Sequence, residues 1–258
     1  MIREKLMEKE VGFDKDIGFR MRGVGEIARI EAFSDAVFAF AVTLLVVSLE
    51  VPKTFGELME TMRGFGAFAI CFLLFFFIWF NQYKFFRRYG LEDNYTVWLN
   101  AALIFVALFY VYPLKFLFSW LIDGVFGGHR EAHLANGTVE AIVEGSQITT
   151  LMIIYGLGYI AVFSVFILLY LHAYRKRFEL ELNELEIFDT LGNLQENALN
   201  VCVGLISIAI AFFGGPRWAG VSGMTYMLLG VVMSVHGAVM GKRRRKLEER
   251  FAASPDAA

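Results

Sequence analysis

Residues 71–80 read CFLLFFFIWF. Ten residues without a polar break do not suit a strand of a membrane barrel, where apolar and polar residues alternate over about ten positions. They suit a helix that is oily on every side. Working outward, the run free of Asp, Glu, Lys and Arg extends over residues 64–83. That meets the roughly 20 residues needed to cross a hydrocarbon core of about 30 Å at 1.5 Å per residue. Four further runs of this kind occupy 94–114, 145–174, 197–216 and 218–241, and an earlier one, 30–49, is interrupted only by Glu31 and Asp35. The pattern predicts an all-α integral membrane protein with six transmembrane helices, and hence both termini on one side.

Composition agrees. Of 258 residues 57% are hydrophobic and 19% charged, against about a quarter charged in soluble domains. A cytosolic globular enzyme and a disordered chain are both excluded. With the N-terminus inside, all of the 24 Lys and Arg residues except Lys53, Arg63, Lys115, Arg130 and Arg217 fall on inner segments, so the positive-inside rule places both termini in the cytoplasm. Three parts are expected: a cytoplasmic segment 1–28, a six-helix channel domain 29–241 and a basic cytoplasmic tail 242–258. The charged opening segment is too polar for a cleavable signal peptide. The basic run KRRRK at 242–246 directly follows a span, which makes it a topology anchor in contact with anionic lipid heads and no sign of nucleic acid. Cys71 and Cys202 lie inside apolar runs and read as packing residues. In the outer loop, 116–146, the sequon at Asn136 is formal only, and His129 and His133 lack further metal ligands at suitable spacing. Residues 178–197 mix acids with leucines and are expected to prolong the fourth helix into the cytoplasm, with an acidic face that is solvated or touches a neighbouring subunit. No internal repeat is visible, so a pathway along the membrane normal requires several copies of the chain.

Ionisable groups at membrane depth are functional candidates by default. The second to sixth spans carry no Asp, Glu, Lys or Arg at mid-depth; the first carries Arg29, Glu31, Ser34 and Asp35 near its inner end, Thr43 in the middle and Glu50 at its outer end. At 3.6 residues per turn, Phe33, Ala36, Thr43, Leu44, Val47 and Val51 all fall within about 60° of Phe40. One face is thus an apolar stripe with a hydroxyl on its edge. Asp35 falls about 140° away, so it is expected to point into the subunit toward donors on the second and third helices, with Asn81, Gln82, Trp98 and Asn100 as candidates, in a structural role in preference to ion coordination.

The stretch Arg29-Ile-Glu-Ala-Phe33-Ser34-Asp35, followed by AVFAFAV and then Thr43-Leu44, resembles the RxxxFSD signature of the family of the lysosomal potassium channel known as transmembrane protein 175. The sequence DNYTVWLN at 93–100 is similar to that family's third helix. The resemblance covers about residues 29–113. It implies a homotetramer whose first helices line a central pore for K⁺ and other monovalent cations, with no cofactor and with hydrophobic side chains as the constriction. The layers implied are Phe40, Leu44 and Val47, with the family's threonine at Thr43. Arg29, Phe33, Ser34 and Asp35 would organise the inner half, and four copies of Glu50 would draw cations to the outer mouth. Two departures stand out. Phe40 is bulkier than the usual isoleucine or leucine, and residues 81–83, Asn-Gln-Tyr, stand where relatives often have a histidine.

Without the resemblance, the stripe on the first helix reads more readily as helix packing in a membrane scaffold, since large apolar residues at helical spacing are usually core. A secondary transporter would want internal repeats and polar midplane sites, which are not seen. An enzyme would want a nucleophile and base, a metal cluster or a phosphate loop, and the sequence offers none of these.

Overall fold

The apolar runs fold as helices throughout the computed structural model, which describes residues 12–14, 19–23, 28–47, 52–126, 131–133 and 139–253. Helix α1 spans Arg29–Val47, α2 Phe55–Tyr89, α3 Asn94–Phe126, α4 Gly145–Arg175 and α5 Glu184–Gly214. A 3-10 turn at Gly215–Arg217 reverses the chain into α6, Ala219–Met224; a second, Thr225–Met227, leads into α7, Leu228–Ala253. The strands among the described residues form two antiparallel pairs, β1 (Gly12–Asp14) with β2 (Phe19–Met21) and β3 (Glu131–His133) with β4 (Val139–Ala141).

Among the described residues, five segments are long and apolar enough to cross a membrane: Phe55–Tyr89, Asn94–Gly124, Gly145–Arg175, Glu184–Arg217 and Ala219–Arg250. Helix α1 is not among them; its 19 residues include Arg29, Glu31 and Asp35. Helix α2 outruns its uncharged stretch because caps, not hydropathy, end it. Thr54 accepts the Glu57 N–H at 3.2 Å before α2. After it, Gly90 adopts φ 57° and donates its N–H to the Phe86 carbonyl at 2.8 Å, a left-handed cap that glycine adopts without steric penalty.

The expectation for residues 178–197 needs correction. Helix α4 stops at Arg175, Glu181 takes a positive φ of 48°, and Asn183 and Glu186 form a reciprocal capping box that starts α5. Two orphan N–H groups are satisfied there, so the chain turns and the acidic segment extends the fifth helix instead of the fourth. Nor is its acidic face all solvated. Glu186 is fully buried, and Asp189 accepts the Arg244 Nε–H at 2.9 Å, tying the start of α5 to the last turns of α7.

Helices α2 to α5 pack as consecutive pairs, with α1 against α2 and α3 and α7 on the outside, largely uncovered. Close approach of α3, α4 and α5 relies on small residues: Gly156 sits under Ile208, Gly158 under the ring of Tyr110, and Gly204 under Ile160. Tyr110 Oη donates to the Tyr155 carbonyl at 3.1 Å, while Tyr155 Oη donates to the carbonyl of Pro113 inside α3. Ser207 on α5 and Ser222 on α6 bond hydroxyl to hydroxyl at 2.9 Å, which closes the turn between them. Cys71 is buried, Cys202 is exposed, and both thiols are free.

A candidate ion pathway on the first helix

Helix α1 divides into two faces. Ser34, Phe38, Ala41 and Leu45 are buried against the rest of the chain, at positions that share one side of a 3.6-residue helix. Phe38 meets Phe75 of α2 at 4.8 Å between ring centroids. The other side is uncovered: Phe33 and Phe40 are each 63% exposed and Leu44 42%. Thr43 is also exposed and donates its hydroxyl to the Ala39 carbonyl one turn back, at 2.9 Å, which leaves oxygen lone pairs open on that face. Val47 ends the helix, and Glu50 lies outside the described residues.

The buried face is held by a line of amides and hydroxyls through three helices. Gln82 Nε2 of α2 donates to Asn100 Oδ1 at 2.7 Å, Asn100 Nδ2 of α3 donates to Ser34 Oγ at 2.8 Å, and Ser34 donates to the Ile30 carbonyl at 2.7 Å. All three side chains are buried. Buried polar groups in such a line must each find a partner or lose the cost of desolvation. Replacing Asn100 by leucine leaves Gln82 and Ser34 each short of a partner, at about 1–3 kcal/mol per group. The expected outcome is a clear drop in melting temperature in detergent, with leucine at Trp98 as the control that causes little change.

The partners of the signature therefore differ from those expected. Gln82 and Asn100 reach it, but through Ser34 and not Asp35. Asp35 accepts the indole N–H of Trp79 at 2.7 Å. Asn81 and Trp98 are not involved: Asn81 Nδ2 donates to the Phe77 carbonyl of its own helix at 2.8 Å, and Trp98 is 76% exposed. Trp79 sits within the oily decapeptide, where its N–H is the one side-chain nitrogen donor; that is the available signal. Arg29, at the start of α1, is exposed.

Below this line, ion pairs join the helix ends. Asp93 caps α3 by accepting the Thr96 N–H at 3.0 Å, and accepts from His172 Nε2 of α4 at 2.8 Å with Lys176 Nζ at 3.5 Å. Burial alone would raise its carboxyl, but the His172 and Thr96 hydrogen bonds and the charges of His172 and Lys176 prevail and hold it at about 2. A depressed carboxyl stabilises the fold above the ordinary aspartate range near 4 and loses that contribution as pH falls toward 2. Melting temperature should therefore fall as pH is lowered from 5 through about 3, and Asp93→Asn should flatten part of that fall. An unchanged acid profile in the variant would refute the assignment.

Together these features define a helical, multi-pass integral membrane protein in which α1, like several of the longer helices, keeps an apolar face open in the single chain. Residues 29–110 match the family described as endosomal/lysosomal potassium channel TMEM175. A potassium channel of Marivirga tractuosa is 41% identical over 251 residues, covering 94% of this chain and 98% of that protein. One from Chamaesiphon minutus is 31% identical over 125 residues, 45% of this chain and 59% of its own length. Among solved structures, a variant of the potassium channel MtTMEM175, crystallised with a nanobody–MBP fusion, superposes with a TM-score of 0.75 at 41% identity over 90% of this chain and all of that one. A lysosomal potassium-selective TMEM175 homologue from Chamaesiphon minutus shares the fold at a TM-score of 0.52 and 23% identity, covering 80% of this chain and 95% of that one. The chain belongs to the TMEM175 family. Its relatives are channels, and it is not an enzyme.

Proposed function

We propose that the chain is a potassium-preferring cation channel in the cell membrane, formed by four copies around a central pore that the α1 helices line. In this reading α1 is the sixth span beside the five apolar ones, residues 1–28 and 242–258 are cytoplasmic, and residues 29–241 form the channel domain. Phe40, Leu44 and Val47 are successive layers of the constriction, Thr43 supplies an oxygen beside it, and Glu50 attracts cations to the outer mouth. Arg29, Phe33, Ser34 and Asp35 organise the inner half.

The observation that carries the reading is the uncovered face of α1. Phe40 and Leu44 are exposed within one chain although the same helix is anchored on its other side by a fully buried hydrogen-bond line. A helix so firmly oriented presents that face to one environment only. An apolar ring at a symmetry axis strips part of the ion's water, which K⁺ gives up more cheaply than Na⁺, and it can close by dewetting. The permeant ion needs no resident cofactor, and among the described residues no group of His, Cys, Asp and Glu is arranged to hold a metal.

The test is flux. Purified protein in liposomes should pass K⁺ down its gradient without substrate or proton coupling, and cross-linking should yield a tetramer. Saturating, proton-coupled movement would replace the channel with a transporter; a tetramer without any flux would leave a scaffold.

A further inference from the structure

Just before α1 the chain lies as a strap across the ends of α2 and α5. Phe19 is fully buried, with its ring edge-on to Tyr89 at 5.6 Å and the Arg88 guanidinium 5.2 Å above it. The N–H groups of Arg22 and Gly23 donate to the carbonyls of Arg88 and Arg87 at 3.4 and 3.1 Å, and Arg87 Nη1 donates back to the Gly23 carbonyl at 2.9 Å. A methyl group on Gly23 would collide with the Phe86 carbonyl; this approach requires glycine.

On its other side the strap meets Glu186. Oε1 accepts the Arg20 N–H at 2.8 Å; Oε2 accepts the Arg22 guanidinium at 2.7 Å and the Asn183 N–H at 3.1 Å. Arg22 Nε also donates to the Leu180 carbonyl at 2.7 Å. A fully buried carboxylate held by two arginines and two backbone amides is compensated, whereas deleting it takes the carboxylate partner from the half-buried Arg22 and the more exposed Arg20. Six residue steps separate Gly23 from the start of α1 at Arg29, so the two lie at most about 22 Å apart. The helix that the proposed function places around the pore thus starts within one short tether of a rigid clamp built from the first turn of α5.

We infer that Glu186, acting through Arg20 and Arg22, is a positioning residue for ion permeation: the clamp fixes where the inner end of each α1 stands relative to the pore axis. This rests on the reading of α1 as the pore-lining helix. The Asn100–Ser34 bond sets the height and rotation of α1 against α3, and the clamp sets the reach of the end below it. Glu186 itself touches no permeating ion.

Three full-length variants in liposomes decide it: Glu186→Ala, Glu186→Gln, and an insertion of four Gly-Ser residues between Gly23 and Ala28. The insertion keeps every clamp contact and lengthens only the tether, so a merely structural clamp predicts wild-type flux. The inference predicts that the insertion and Glu186→Ala each change K⁺ flux by about threefold or more, the insertion doing so at unchanged melting temperature, with Glu186→Gln in between. Should Glu186→Ala fail to assemble, the insertion decides alone, and wild-type flux from it overturns the inference. Leu44→Ala, measured in parallel, separates the two readings. If it changes flux and the insertion does not, the clamp is wrong; if it too changes nothing, the pore assignment has failed.

Discussion

Leu44→Ala is expected to raise potassium flux about tenfold, a barrier lowered by roughly 1.4 kcal/mol, and to bring the K⁺ and Na⁺ rates closer together. Leu44 stands on the open face of α1, 42% exposed in the single chain, one turn from Phe40. Four such side chains at an axis would set both the width of the passage and its tendency to dry. Alanine removes three carbons from each, so a cation keeps more of its water on passing and the advantage of the more weakly hydrated ion shrinks. Phe40→Ala should act in the same direction, with a larger effect if the rings narrow the path further. The control is the neighbouring leucine. Leu45 is 5% exposed and faces its own subunit, so Leu45→Ala opens a cavity in the bundle and should lower the melting temperature while the K⁺/Na⁺ ratio stays as it was. Ion-selective flux measurements on both variants check this; equal effects at the two positions would deny that α1 has a pore face.

Gly158→Val should cost about 3 kcal/mol and is expected to abolish a cooperative melt at growth temperature. A side-chain carbon at position 158 would land inside the ring of Tyr110, on Cδ2 and Cε2. That ring cannot simply step aside, because its hydroxyl is bonded to the Tyr155 carbonyl at 3.1 Å on the same neighbouring helix. In a membrane, helices gain little from burying apolar area and depend on backbones coming close; at Gly158 the approach of α3 to α4 leaves no room for any substituent. Gly237 in α7 meets nothing within 4 Å, and Gly237→Val should leave the melt nearly intact.

The open face of α1 is legible in the sequence. The stripe through Phe40 and Leu44 follows from helical spacing, and the structure leaves Phe40 and Leu44 uncovered while burying Ser34 and Leu45. The signature residues are also legible as a motif. Their partners were not. Helical spacing points Asp35 toward Asn81, Gln82, Trp98 and Asn100, whereas its partner is Trp79, 44 positions away, because a carboxylate at the helix surface takes the nearest donor of any kind, and an indole N–H inside an oily run is easily read as oil. The acidic segment before the fifth span misled for a similar reason. Its leucines and acids continue a helical pattern, but the Asn183–Glu186 capping box is a start signal, and it turns the helix boundary around.

Sequence alone determined that this chain is helical, apolar over long runs and built to sit in a membrane, since transfer into hydrocarbon sums over a whole segment and does not depend on which neighbour each residue meets. Only the tertiary structure decided that Asn100 bonds Ser34, that Trp79 holds Asp35 and that Glu186 clamps Arg20 and Arg22 from more than 160 positions away. A hydrogen bond or buried ion pair exists only when two atoms come within about 3 Å, and no pattern along the chain encodes that distance.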